Sequence, residues 1–302
     1  MKNEFNTIAI LGRDDDPRVT EPMALLAAYL AEAGCDVIAA PGISLGTPAR
    51  EVEEAGLADE ADLMIAVGGD GTMLYAASLA QRRAVPLLGV NRGRLGFLAD
   101  ITPDEMLQSL GRVLDGDYER ESRLLLSASI VYRNGKTQSA VALNDVVLQR
   151  REPGRMLDFR TCIAGRYVNT HSGDGLIVAT PTGSTAYSLS CGGPIMEPAL
   201  DAVVIVPICP HTLSDRPIVI PADQQIEVTL LERADTRAEV TIDGQSIGEI
   251  SVGDRLLISR SEQRITLLHP PGYDYYEILR SKLHWGLDGR IRHSEADTGG
   301  QS

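Results

Sequence analysis

The chain has 302 residues, 43% hydrophobic and 23% charged, with 29 Gly, which is a globular composition and neither a disordered nor a fibrous one. Its 42 Asp+Glu against 28 Lys+Arg leave a formal charge of −14, and only 4% of residues are aromatic. This argues against sequence-independent nucleic-acid binding, which needs a dense basic surface and stacking platforms.

A single core stops growing at about this length, so two domains with a cleft between them are expected. Cys35, Cys162, Cys191 and Cys209 lie far apart and form no C-x-x-C pair, which reads as reduced thiols, not a disulfide framework or zinc ribbon. No apolar run reaches membrane-spanning length, and the first five residues lack a signal peptide's apolar core. A cytoplasmic protein with no membrane partner is expected.

Residues 7–11 predict a buried strand. Residues 20–33 predict a helix capped by Thr20, with Pro22 in its first turn and Gly34 as its stop. Strands are predicted at 36–40, 63–67 and 86–91, with a helix at 73–83. The Thr102-Pro103-Asp104-Glu105 run carries a capping box, Thr102 to Glu105, and opens a helix that Gly116 ends. Uniformly apolar strands alternating with helices predict a doubly wound (Rossmann/flavodoxin-like) α/β domain over 1–118.

After residue 118 the pattern becomes β-rich. A strand at 123–133 is predicted to turn at Asn134-Gly135, as type I′, into a strand at 137–148. Further runs at 156–163, 176–180, 203–208, 226–231, 239–242, 255–259 and 265–269 predict a β-sandwich-like domain over 119–270. Residues 273–285 return to helical spacing, with Tyr276, Leu279 and Leu283 on one stripe, and are expected to pack back on the first domain. The polar tail 286–302 is expected to be mobile.

The strongest chemical signal is Gly68-Gly69-Asp70-Gly71-Thr72, between a predicted strand and helix. In a doubly wound sheet the strands' carboxyl ends form the ligand crevice. Gly68, Gly69 and Gly71 let backbone N–H groups approach a phosphate, and Thr72 can cap the following helix, whose N-terminus attracts anions. A carboxylate there repels phosphate unless it takes a proton or meets a cation, so Asp70 is read as a general base or a water-mediated Mg²⁺ contact. The plain alternative is a turn residue. No Gly-Lys-Ser/Thr follows, which excludes a P-loop.

A second signal is Asp174-Gly175, a strand, then the hydroxyl-rich run Pro181 to Ser190, which offers neutral donors and acceptors to ribose and phosphate. Asn144-Asp145, inside an apolar run, suits vicinal ribose hydroxyls; an exposed edge-strand face is the equal alternative. The turn from Pro210 to Pro217 holds His211 and Arg216 and reads as a stiffened structural turn. His269, His284 and His293 read as surface or packing residues. No His pair at metal spacing, zinc-protease motif or nucleophile elbow is present.

These motifs, in order with Gly89-Val90-Asn91, Gly93 to Leu98 and Asp243-Gly244-Gln245, resemble the NAD kinase family from about Ile8 to Trp285. The resemblance implies transfer of the γ-phosphoryl of ATP to the 2′-hydroxyl of the adenosine ribose of NAD. It implies Asp70 as proton acceptor, with Gly71 in contact with ligand. It also implies a dinucleotide site lined by Asn144, Asp145, Arg155, Ser172, Asp174, Thr185, Ala186, Tyr187, Ser188, Leu189, Ser190 and Gln245. Asp145 stands where the family more usually has Glu, and Ser172 where some relatives carry a basic residue. Similar enzymes are cytoplasmic homo-oligomers, dimers or tetramers, that need a divalent metal. Mg²⁺ arriving with ATP would require no protein cage. The weighed alternatives are a lipid kinase sharing the Gly-Gly-Asp-Gly cradle and a non-catalytic dinucleotide sensor.

Overall fold

A computed structural model describes residues 4–13, 16–47, 49–93, 96–151, 156–231 and 236–285. The tail after Trp285, His293 and Arg155 lie outside the described residues.

The first part alternates β1 (Thr7–Gly12), α1 (Pro17–Glu32), β2 (Asp36–Ala39), β3 (Arg50–Glu51), α2 (Leu57–Glu60), β4 (Leu63–Gly68), α3 (Asp70–Ala80), β5 (Leu87–Asn91) and α4 (Met106–Leu114). The strands are parallel in the order β5-β4-β1-β2-β3. Ile8 and Ile10 face α1 and α4, whereas Ala9 and Leu11 face α2 and α3, so both faces are covered. Burial on both sides is why these strands read as continuous apolar runs and not as alternating ones.

Several boundaries differ from the sequence expectation, each for a local reason. Helix α1 begins at Pro17, because the Asp16 carboxylate accepts the Arg18 N–H at 3.0 Å and Pro17 takes the first helical position. Helix α3 begins at Asp70 behind an extended Gly69, and no side chain caps it. Thr72 therefore lies inside the first turn. Thr102 and Glu105 bond each other at 2.9 Å in a turn ahead of α4 instead of forming a capping box.

The β-rich part comprises β6 (Glu119–Val131), β7 (Thr137–Ala142), β8 (Asp145–Arg150), β9 (Leu157–Ile163), β10 (Arg166–Gly173), β11 (Gly175–Ala179), the one-turn α5 (Tyr187–Ser190), β12 (Ala202–Ile208), β13 (Ile218–Pro221), β14 (Ile226–Leu230), β15 (Arg237–Ile242), β16 (Gln245–Ser251) and β17 (Arg255–His269), followed by α6 (Tyr275–Leu283). The expected strand 137–148 is two strands that break at Leu143-Asn144. The two runs expected at 255–259 and 265–269 are one strand, with a register shift between Arg260 and Arg264 absorbing the polar stretch. Only Gly135 has a positive φ (+83°) at the β6–β7 turn, so that turn is not type I′. The type I′ dipeptide is Asp243-Gly244, with φ +48° and +81°, joining β15 to β16.

Strand β17 joins the two parts, pairing parallel to β5 through Leu267 and Leu268 and antiparallel to β6 and β14. A second, antiparallel sheet runs β13-β12-β11-β8-β15-β16. The two sheets enclose a core containing Leu126, Val146, Phe159, Val178, Ile205, Val228, Val240 and Ile258. Strands β8, β11 and β12 are apolar on their other face as well, where Val147, Ile177 and Val206 pack with Met196. On α6 the buried residues are Ile278 and Leu279; Tyr276, expected on the packed stripe, is 56% exposed because the helix is turned about its axis.

Candidate functional site

Strand order reverses direction at β1 and β4, and there a cleft of about 910 Å³ opens at their carboxyl ends. Gly12 at the end of β1 and Arg13 after it, Gly68 at the end of β4 and Gly69 after it, Gly71, Thr72 and Tyr75 of α3, and the α1 N-cap Asp16 with Arg18 line it, together with Arg92 and Gln245. The glycines leave the first-turn N–H groups of the uncapped α3 accessible, a ready anion site. Gly68 is required for a second reason: a Cβ there would lie 2.2 Å from Thr72 Oγ1.

Asp70 turns its carboxylate toward the loop after β5. Its oxygens accept N–H bonds from Phe97 (3.1 Å) and Leu98 (3.0 Å), and Gly96 lets the loop approach, since a Cβ there would sit 2.2 Å from Asp70 Oδ1. Asn91 staples the same loop, donating to Ala99 O at 3.2 Å and accepting the Gly93 N–H at 2.8 Å. Asp70 is thus a held side chain at the start of α3. Each carboxylate oxygen has a further lone pair beyond the one the loop uses.

A smaller cleft, about 390 Å³, adjoins the same helix and is lined by Leu74, Asn144, Asp145, Gln149, Ala186, Tyr187, Asp243 and Gly244 among others. Asn144 and Asp145 stand where β7 breaks from β8. The Asp243 carboxylate makes that break, accepting N–H bonds from Leu143 (2.8 Å), Asn144 (2.8 Å) and Asp145 (3.1 Å). Asp145 is buried, at 6% exposure, and burial together with the Asp243 charge pushes its carboxyl up to about 7. Burial raises Asp243 as well, against the lowering effect of the three N–H bonds. The Asn144 Oδ1 atom is buried with no hydrogen-bond partner.

The hydroxyl-rich run is more structural than its composition implied. Thr180 Oγ1 donates to Leu143 O at 2.5 Å, Ser184 Oγ to Pro181 O at 2.6 Å, and Ser184 and Ser188 are fully buried. Gly183 packs so tightly on the Asn144 carbonyl that a Cβ would lie 2.1 Å from it. Ala186 and Tyr187 reach the smaller cleft, while Thr185, Leu189 and Ser190 lie outside its lining, Thr185 and Leu189 half-buried and Ser190 exposed. Asp174 is ion-paired to Arg150 at 3.1 Å, and Ser172 sits in β10 opposite Asp158; neither lines the cleft. Gln245 lines the large cleft, one residue beyond the turn that borders the small one.

Sequence reasoning missed Arg13, Arg18 and Arg92, and it named Asp243 within the Asp243-Gly244-Gln245 motif without foreseeing its three bonds to the 143–145 backbone. Arg18 carried a signal, because a cation in the first turn of a helix opposes the helix dipole. It and Arg92 pair with Asp16, at 2.8 and 3.3 Å. His269, expected at the surface or in packing, is buried between Asp100 and Glu121. Among the described residues no group of three His, Cys, Asp or Glu side chains gathers as a metal site, and no helix is long and apolar enough to cross a membrane.

A doubly wound half with a glycine-lined cleft at its strand ends thus adjoins a β-rich half with a second polar cleft. Residues 8–118 match the family model of the ATP-NAD kinase N-terminal domain, and residues 143–269 that of the C-terminal domain. The chain is 42% identical over 296 residues to an NAD kinase of Aromatoleum aromaticum, covering 96% of this chain and 97% of that one. It is 44% identical to an NAD kinase of Azotobacter vinelandii, covering 93% and 97%. A crystal structure of yeast NADH kinase complexed with NADH matches its fold with TM-score 0.87 at 24% identity, covering 94% of this chain and 88% of that one. An NAD kinase from Archaeoglobus fulgidus in complex with ATP matches with TM-score 0.69 at 26% identity, covering 88% and 94%. The chain belongs to the NAD kinase family.

Proposed function

We propose that the large cleft takes the triphosphate of ATP, the small cleft takes NAD, and the γ-phosphoryl passes to the 2′-hydroxyl of the adenosine ribose to give NADP. The observation that carries this reading is that one helix serves both clefts: Thr72 and Tyr75 of α3 face the large one and Leu74 the small one. Donor and acceptor held on adjoining faces of a rigid element make the transfer effectively unimolecular.

The α3 N–H groups, Arg13, Arg18 and Arg92 would hold phosphate oxygens. Arg18 and Arg92 exchange Asp16 for the donor. Asn144 and Asp145 would hold ribose hydroxyls, which satisfies the orphaned Asn144 Oδ1. Asp70 would accept the 2′-hydroxyl proton through a lone pair the loop leaves free. Ser172, Asp174, Thr185, Leu189 and Ser190, outside the lining of the small cleft, would meet the dinucleotide where it extends beyond that cleft, and Arg155 is proposed as a further contact from the family resemblance alone. A divalent metal bound with ATP supplies charge neutralisation on the transferring phosphate; no protein cage is needed for a cation that phosphates ligate. The two functional units divide near residue 118, and the active form is a cytoplasmic homo-oligomer, which light scattering of the purified protein tests.

The deciding experiment supplies ATP, Mg²⁺ and NAD and measures NADP. Asp70→Asn is expected to lower kcat by about 10²–10⁴-fold, the usual worth of a positioned proton acceptor, while calorimetric NAD affinity stays within a few-fold. NADP formation unchanged by the substitution would refute the role of Asp70.

A further inference from the structure

Five polar side chains outside both clefts form a continuous chain, buried at His269 and Arg123 and half-buried at Glu121. His269, at the end of β17, places Nδ1 2.7 Å from Asp100 Oδ2 and Nε2 3.0 Å from Glu121 Oε2. Glu121 Oε2 also accepts from Arg123 Nη2 at 2.5 Å, and Arg123 Nη1 donates to Thr182 Oγ1 at 3.1 Å. Tyr273 stacks on the imidazole, centroids 3.7 Å apart, and its hydroxyl receives a longer bond, 3.4 Å, from Arg123. His269 is 1% exposed and Arg123 is 2% exposed.

The two ends of this chain are the informative part. Asp100 closes the loop whose Phe97 and Leu98 N–H groups hold Asp70. Thr182 begins the turn that carries Thr185, whose hydroxyl donates to the Thr182 carbonyl at 3.2 Å. One end thus lies two residues beyond a loop bond to Asp70, and the other lies in the turn that leads into Ala186 and Tyr187 of the small cleft. We propose that His269 and Arg123 are positioning residues for phosphoryl transfer, tying the 96–100 loop to the Thr182 turn and so setting the separation of the two halves of the site.

Both ring nitrogens of His269 meet carboxylate oxygens, which only accept, so both carry protons and the charges alternate along the chain from Asp100 to Arg123. Burial alone would push the imidazole down, but Asp100 and Glu121 hold it above its ordinary range. Likewise burial would raise Glu121, and His269 and Arg123 hold it below. Stability is a poor explanation for the arrangement. Asp100 Oδ1 and Arg123 Nε are buried without partners, a cost that an apolar filling of the same space would avoid. What charged groups supply and apolar ones do not is directional fixing of two loops against each other.

The proposal rests on the two-cleft reading above, and its test is arranged to separate the two. Thr182→Val removes only the hydroxyl that Arg123 grips and leaves every charge in place. Arg123→Lys keeps a cation beside Glu121 but loses the second prong to Thr182. In the full-length protein each is expected to lower kcat by about tenfold or more, the scale of an ångström-level misplacement of reacting groups, with KM for NAD and for ATP within about threefold of wild type. Hydrogen exchange is expected to accelerate in Thr182→Val at the Phe97 and Leu98 amides, at the far end of the chain.

Both results are required. Wild-type kcat in either variant overturns the proposal, and so does exchange that accelerates only around residue 182. A wild-type protein that makes no NADP would sink the two-cleft reading instead, and the exchange measurement then decides the coupling alone.

Discussion

Asp145 offers a quantitative test of the site's electrostatics in the absence of any ligand. Its carboxyl is buried beside Asp243, and burial first, then the Asp243 charge, raise it from 3.8 to about 7. A carboxyl raised on folding binds its proton more tightly in the folded state than in the unfolded one. The stability it contributes is complete below its ordinary pKa and is lost as pH rises through the folded value. A displacement of about three pH units at about 1.4 kcal/mol each corresponds to something on the order of 4 kcal/mol. Asp145→Asn has no charge to bury. Its stability relative to wild type should therefore grow by about 1.4 kcal/mol per pH unit between about pH 4 and pH 7, and level off above. Urea denaturation of both proteins at pH 5, 6, 7 and 8, without ligand, reads this directly. A difference that stays constant across that range would show that the Asp145 carboxylate is solvated, and the account of the small cleft would fail.

Asp243→Asn keeps one acceptor oxygen and sets an NH₂ group against a backbone N–H; it should cost about 1–3 kcal/mol and weaken NAD binding with little change in KM for ATP. Denaturation and calorimetry check the two halves of that statement. Gly183→Ala drives a Cβ to within 2.1 Å of the Asn144 carbonyl, backbone on both sides, so the variant should lose several degrees of melting temperature and most NAD affinity together. Arg92→Ala should raise KM for ATP about tenfold, the scale of one lost charge-assisted phosphate contact, and leave KM for NAD near wild type. Steady-state kinetics with each substrate varied in turn would expose an error in the assignment of the clefts.

Much of the architecture is legible in the sequence alone. The apolar runs of β1, β2, β4 and β5 are short and uninterrupted because helices cover both faces, and that pattern names a doubly wound sheet without tertiary information. The weak strands were not legible. Strand β10, with the sequence RYVNTHSG, is an edge strand with a largely exposed face and carries no apolar alternation to find. The polar stretch from Arg260 to Arg264 looked like a break, and only pairing with β6 across a register shift makes it strand.

The candidate site divides in the same way. Gly68 to Thr72 announces itself because close backbone approach demands glycine at consecutive positions, whereas Asn144-Asp145 read equally well as an exposed edge-strand face and Asp243-Gly244-Gln245 was legible only through the family resemblance. The sequence by itself therefore determined the family and with it the class of chemistry. The tertiary structure alone decided which hydroxyls of 180–190 turn inward, that Asp70 is held by a loop 27 residues away, and that Arg18, Arg92 and Asp16 share a cleft. The physical reason is range: backbone conformation and burial pattern are imposed by near neighbours, whereas a hydrogen-bond partner or a counter-charge is chosen by where the whole chain has folded.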